Sequence, residues 1–483
     1  LGIALFSNGY NIAVIGAVIT LLSREYPDSQ FGLQHYSNVL TSTVFAGIVL
    51  IMIFFAFISD GSLRVDVLLC MVAVSFSVTI ASTTSGCLVG SWEGLSVGYF
   101  VVMLGCTCFL LGMGVGAGHT CGSVFASERT LGQHGITESA QHWWLVAGTK
   151  TVINAGFVLS GFVPLVLYWI FGEQHLQLVC GLSLGFGAIP AFVVSRKIMA
   201  PLYHMPCLLW HMPKSYFRLL ESVHILKWLT MKWYWKSVLG LSLACFIYDF
   251  IMYVHFAIYS SMIINNFTGG SSSLSVVLGW SVVINMFCIP GTVLGTFLID
   301  YLGMKTTMIV GLLLQAIIGL SLGTINTPVT NHISTFAVVY GIFLALGEIG
   351  PGSCLHVLPA KIGPTAHISG HIYSIAATIG KLGAFIGTWV FPQIIDAFGG
   401  SKTERGNTGP FWIGSGLAIL SVIVTIFLIK PLTPDSLKAE DKAFHQYLEE
   451  NGLNVSNMVI GRPAEEVIYN EMDVWQLHNN EIT

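Results

Sequence analysis

The sequence has 483 residues, of which 54% are hydrophobic and 9% charged, with a formal net charge of −4. Soluble domains are typically about a quarter charged, which excludes a single water-facing globule, and the charge balance gives no reason to expect a nucleic-acid partner. The ten cysteines are irregularly spaced and mostly inside apolar runs. They form no zinc pattern and no disulfide framework, and no metal or cofactor is expected.

A membrane span needs roughly 20 mostly apolar residues, because the hydrocarbon core is about 30 Å thick and a helix rises 1.5 Å per residue. Backbone polar groups must then pair within each segment, which selects helices. Twelve such segments are expected, at 1–22, 37–58, 67–84, 97–123, 144–169, 178–195, 237–264, 277–299, 306–324, 335–358, 371–391 and 410–429. The chain begins at Leu1 within an apolar stretch. Lacking a basic leading region, 1–22 reads as a span rather than a signal peptide. The expected fold is all-α: a bundle at 1–195, a central cytoplasmic loop at 196–236, a second bundle at 237–429 and a tail at 430–483.

The central loop carries Arg196, Lys197, Lys214, Arg218, Lys227, Lys232 and Lys236 against one acid, Glu221, and its aromatic content suits an interface. With the first span leaving the cytoplasm, cytoplasmic loops hold eleven Lys/Arg and external loops three. That satisfies the positive-inside rule and places both termini in the cytoplasm. Asn266-Phe-Thr268 then forms an external glycosylation sequon. The tail, with ten acids and four bases, reads as solvated and partly disordered.

An acid–glycine–base turn recurs after the second span of each half. The first copy is Asp60-Gly-Ser-Leu-Arg64; the second runs from Gly295 through Asp300 and Gly303 to Lys305. Such a turn can set an acid near a helix N-terminus and a base across the loop, latching neighbouring helices in one state. An ordinary interfacial anchor is the alternative. Six plus six spans, the central loop and the paired turn resemble the major facilitator superfamily over about 1–430. That resemblance implies two six-helix bundles around a central cavity, working by alternating access.

Charges at membrane depth are expensive, about 2.5–3.5 kcal/mol each on insertion scales. Asp249, Glu348 and Lys381 fall well inside spans, all in the second half, while Lys150 lies near a span end. Tyr253 is four residues from Asp249, and Tyr373, Ala377 and Lys381 are spaced by four, so each set shares a helical face. Glu348 lies in Gly347-Glu-Ile-Gly-Pro-Gly352, where proline between glycines weakens the helix beside a cavity. A buried ammonium binds an anion strongly, and desolvation makes a buried carboxylate suited to carry a proton. A structural Asp–Lys pair is the alternative. His119 follows a glycine stripe at Gly114, Gly118 and Gly122 that suits close helix packing; it is a further candidate proton carrier.

Three segments narrow the resemblance. Gly114 to Glu128 is similar to the fourth-helix signature of proton-coupled phosphate symporters. Gly347 to Gly352 and Ile379-Gly-Lys-Leu-Gly-Ala-Phe-Ile-Gly-Thr-Trp-Val-Phe-Pro392 resemble the fungal glycerophosphodiester permeases. The resemblance implies proton-coupled uptake of glycerophosphoinositol or glycerophosphocholine across a plasma membrane, by a monomer whose partners are the organophosphate, protons and lipid. By matched position, Lys381 holds the phosphate and Asp249 serves proton coupling or substrate contact. The candidate substrate set is Lys381, Tyr373, Asp249, Tyr253, Glu348 and Tyr10; Asp249, Glu348 and His119 are the candidate proton carriers. The chain departs from the family pattern at Asn8 and Gly118, where acids are usual. Inorganic phosphate, a polyol phosphate, or a transport-inactive paralogue acting as a sensor are the alternatives; an enzyme is not expected.

Overall fold

The computed structural model describes residues 2–25, 34–58, 101–116, 146–190, 215–254, 273–324, 333–362, 366–400, 403–430, 442–444 and 446–451. Among these the secondary structure is helical throughout. In the first half lie α1 (Gly2–Glu25), α2 (Gln34–Ile58), α3 (Val101–Gly116), α4 (Val152–Phe171) and α5 (Leu176–Phe186). A π-helical turn, Ala147–Thr151, leads into α4. The second half contains α6 (Ser215–Val254), α7 (Leu274–Met286), α8 (Cys288–Leu302), α9 (Met304–Thr324) and α10 (Ile333–Gly347). A second π-helical turn, Glu348–Gly352, joins α10 to α11 (Ser353–Ile362), followed by α12 (Ala366–Ala397) and α13 (Glu404–Leu428). Every expected span except 67–84, which lies outside the described residues, contains helix.

Eight of the described helical segments are long and apolar enough to cross a membrane. Large apolar side chains such as Leu50, Phe54, Phe297, Ile423 and Phe427 are exposed on their outer faces. On a water-soluble protein such surface would mark an interaction site; on this all-helical body it is the lipid-facing side.

Two apolar cores form. One gathers α1 to α5, centred on residues such as Tyr10, Phe45 and Phe157, and extends onto Leu274, Leu278 and Val282 of α7. The other gathers α6 to α13 around Tyr340, Phe343, Phe391 and Phe411. The halves meet where α2 packs on α12 and α4 on α7.

Helix α6 begins at Ser215, so the connection expected at 196–236 is helical from Ser215 onward, with Lys232 over the Trp228 ring and Lys236 over the Trp235 ring. One expectation needs correction. The tail is not solvated throughout: Phe444 and Leu448 are fully buried, with Phe444 against Trp233 and Tyr234 of α6.

Candidate functional site

The two halves enclose a cavity of about 40 Å³. Its polar lining is Lys150, Tyr248, Asp249, His356, Tyr373 and Lys381, and Met52 of α2 closes it from the first half. A water needs roughly 10–15 Å³ of such space, so the cavity is large enough to hold water.

Lys381 on α12 and Asp249 on α6 form a buried ion pair, Nζ to Oδ2 at 3.2 Å. The two helices pack closely, and Gly380 permits the approach. A Cβ there would lie 2.7 Å from Asp249 Oδ2 and 3.1 Å from Cys245 Cβ. Ala377 and Tyr373, one and two turns before Lys381, line the same wall.

A second pair crosses between the halves. Lys150 Nζ, on the π-helical turn before α4, is 3.3 Å from Glu348 Oε1. The Tyr248 hydroxyl lies between them: it donates to Glu348 Oε1 at 3.0 Å and accepts from Lys150 Nζ at 3.4 Å. Glu348 is fully buried. A Cβ at Gly352 would fall 2.6 Å from Glu348 Oε2 and 2.7 Å from the Tyr248 hydroxyl, so only glycine leaves room for this arrangement. Pro351 inside the turn has no amide hydrogen, consistent with local departure from α-helical bonding. Burying four charges is tolerable because each ammonium faces a carboxylate; an unpaired one would be far more costly.

The structure thus brings Asp249, Tyr373 and Lys381 to one cavity, with Glu348 held by a residue that lines it. Tyr10 is not brought there. Its ring is buried between α1 and α5, 5.8 Å from Phe186, and its hydroxyl donates to the Ser183 carbonyl at 2.7 Å. Tyr253 lies on α6 one turn beyond Asp249. Of the paired turn, Lys305 does not reach back across its own loop; its ammonium donates to the Ile426 carbonyl at 2.9 Å, near the end of α13. That carbonyl is at a helix C-terminus, where a cation is favoured. Asp300 is exposed at the end of α8. Asp60, Arg64, His119 and Asn266 lie outside the described residues.

Sequence reasoning missed Lys150, Tyr248 and His356. Lys150 was legible as a rare Lys/Arg within a span, near its expected end, but it was not among the candidate site residues. The deep charges are therefore not confined to the second half: the first contributes Lys150. His356 lies four residues beyond Gly352, whose carbonyl its Nδ1 meets at 3.2 Å.

Residues 219–444 match the family model for sugar (and other) transporters. The chain is 36% identical over 461 residues to a glycerophosphocholine permease of Candida albicans, covering 94% of this chain and 82% of that protein. It is 34% identical over 467 residues to the major glycerophosphoinositol permease of the same organism, covering 96% and 84%. Among solved structures, the xylose transporter XylE from E. coli aligns with a TM-score of 0.67 at 15% identity, over 89% of this chain and 96% of that one. At that identity the likeness concerns the fold.

Proposed function

We propose, for a chain that belongs to the glycerophosphodiester permeases of the major facilitator superfamily, that it takes up a glycerophosphodiester such as glycerophosphocholine or glycerophosphoinositol together with a proton. The observation that carries this reading is the buried Lys381–Asp249 pair on the wall of a cavity between the two halves. A phosphodiester is a monoanion, and a low-dielectric ammonium is a strong partner for it. Substrate must compete with Asp249 for Lys381, so binding is favoured when a proton offsets a carboxylate. Alternating access then follows as the halves rock about the seam at α2–α12 and α4–α7. The opposed Lys305 contact with α13 acts as a latch in the state described.

The halves are taken as 1–195 and 237–429, joined by a cytoplasmic connection, with both termini cytoplasmic in a plasma membrane, as the excess of Lys/Arg in the even-numbered loops supports. The test is labelled uptake in a permease-deficient yeast, comparing glycerophosphoinositol, glycerophosphocholine and inorganic phosphate at two pH values. Saturable uptake of a glycerophosphodiester, faster at acid pH and abolished by Lys381→Ala, is expected. Uptake of phosphate alone would reassign the substrate, and no uptake at all would identify a transport-inactive relative. Unchanged uptake in Lys381→Ala would remove the site, and pH-independent uptake would remove the proton.

A further inference from the structure

The proposed function uses one ion pair and leaves the other without a part. Lys150 belongs to the first half and Glu348 to the second, so the 3.3 Å contact between them crosses the seam that must open. Each partner sits on a π-helical turn, Ala147–Thr151 and Glu348–Gly352, a form found frequently at functional sites. The carboxylate is used unevenly. Oε1 faces the Lys150 ammonium and accepts from the Tyr248 hydroxyl. Oε2 is fully buried and has no hydrogen-bond partner among the described residues. Oε2 is therefore the position open to a proton, and a proton there neutralises the group and weakens its hold on Lys150.

The surroundings narrow the choice of proton acceptor. Glu348 is faced by Lys150 from the turn before α4 and by Tyr248 and Asp249 from α6. Cys288 of α8 and Lys381 of α12 lie within its electrostatic reach, and His356 follows on α11. From α9, Gln315 Nε2 lies 2.7 Å from where a Cβ on Gly347 would fall, and Gly311 packs against Gly350. Asp249 lines the cavity directly and is bonded to Lys381 within the second half, whereas the Glu348 contact is the one that crosses the seam.

We propose that Glu348 is the carboxylate that takes up the cotransported proton, and that its protonation releases Lys150 to bind the phosphodiester alongside Lys381. This rests on the substrate reading above. Charge is conserved through the step. Two lysines and two carboxylates sum to zero; adding one proton to Glu348 and the single negative charge of glycerophosphoinositol keeps the sum at zero, while with glycerophosphocholine, whose choline cation balances its phosphodiester, one net positive charge is carried. The proton comes from the medium on the open side and leaves with the substrate on the other; no bond of the substrate forms or breaks.

The test uses the purified full chain in liposomes with an entrapped pH-sensitive dye, measuring substrate-driven proton influx beside labelled glycerophosphocholine or glycerophosphoinositol uptake. The quantity read is the ratio of protons to substrate. Glu348→Gln should lower that ratio by about tenfold or more and flatten the pH dependence of uptake, while Asp249→Asn should raise KM and keep the ratio. A ratio preserved in Glu348→Gln, or lost in Asp249→Asn, overturns the assignment. Should Glu348→Gln not fold, Lys150→Met/Glu348→Gln strands neither charge and is read by the same ratio, with the same two outcomes. A wild-type protein that carries labelled inorganic phosphate and no glycerophosphodiester defeats the substrate reading, and the Glu348 assignment is then decided by the ratio with phosphate.

Discussion

The first and second halves bury their polar groups by different means. In the first, the Tyr10 hydroxyl bonds the Ser183 carbonyl and Asn11 bonds the Ser7 carbonyl at 2.8 Å, all neutral and all within one half. Asn8 and Asn154 are completely buried amides with no partner for either polar atom among the described residues. In the second half Asp249, Glu348 and Lys381 are buried charges, and the single buried charge described in the first half, Lys150, faces across to them. A neutral hydrogen bond contributes about 1 kcal/mol net, whereas removing one partner of a buried ion pair costs about 3–5 kcal/mol. Among the described residues, sensitivity to charge is therefore concentrated on the second half and its cross-seam partner Lys150.

The largest expected effect breaks the comparison at its charged end. Lys381→Met strands Asp249 in a buried site and should lower stability by about 3–5 kcal/mol as well as abolish uptake. Pairing it with Asp249→Leu removes both charges and should restore stability without restoring uptake. Thermal unfolding in detergent, followed beside uptake, separates the two. A double variant no more stable than the single one would mean that the pair does not hold the charges in balance.

Steric probes come next. Gly380→Ala puts a methyl 2.7 Å from Asp249 Oδ2, and overpacking of this kind costs about 1–3 kcal/mol. Because the displaced atom belongs to the ion pair, uptake should fall about tenfold, largely through KM. Gly156→Ala, in the first half, puts a methyl 2.5 Å from the Phe6 carbonyl oxygen and 2.7 Å from the Tyr10 nitrogen. Its expected stability loss is also about 1–3 kcal/mol, with KM unmoved. Equal KM changes in both variants would erase the distinction between the halves.

Much of this was legible in the sequence, for identifiable reasons. Hydrophobic length fixes helices, so the spans were readable; the early start of α6 at Ser215 was not, because Arg218, Glu221, Lys227, Lys232 and Lys236 interrupt the apolar pattern. Spacing by four placed Tyr373, Ala377 and Lys381 on one face, and all three line the cavity. Spacing could not pair Lys381 with Asp249 rather than Glu348, nor bring Lys150 to Glu348, since those contacts join helices about 100 to 200 residues apart whose relative rotation only tertiary packing sets. Tyr10 was misjudged for the same reason: a polar aromatic in a span can face a cavity or a neighbouring helix, and the Ser183 carbonyl decided it. The burial of Phe444 and Leu448 was hidden by the acidic composition around them.

A smaller effect is expected at the edge of the second half. Lys305→Met removes the bond to the Ile426 carbonyl. The contact is exposed, so the loss should be about 1 kcal/mol or less. If the contact latches one state, the variant should shift the balance of open and closed conformations, read by cysteine accessibility across the seam, more than it shifts the unfolding temperature. A change in unfolding alone would leave Lys305 as an anchor.

The smallest expected effect tests the neutral half directly. Asn154 stands one turn beyond Lys150, fully buried, and both polar atoms of its amide lack partners among the described residues. An unsatisfied buried amide costs about 1–3 kcal/mol, and replacement by an apolar group of the same shape is near neutral or stabilising. Asn154→Leu preserves the shape of the side chain and should therefore leave the unfolding temperature unchanged or raise it by a few degrees, with uptake retained. The opposite result would be more informative. If Asn154→Leu unfolds no earlier than wild type but loses uptake, the amide must find its partner in a conformation that opens the seam. The first half would then contribute a polar group to transport, beside Lys150, and the contrast between a neutral half and a charged half would describe only this conformation.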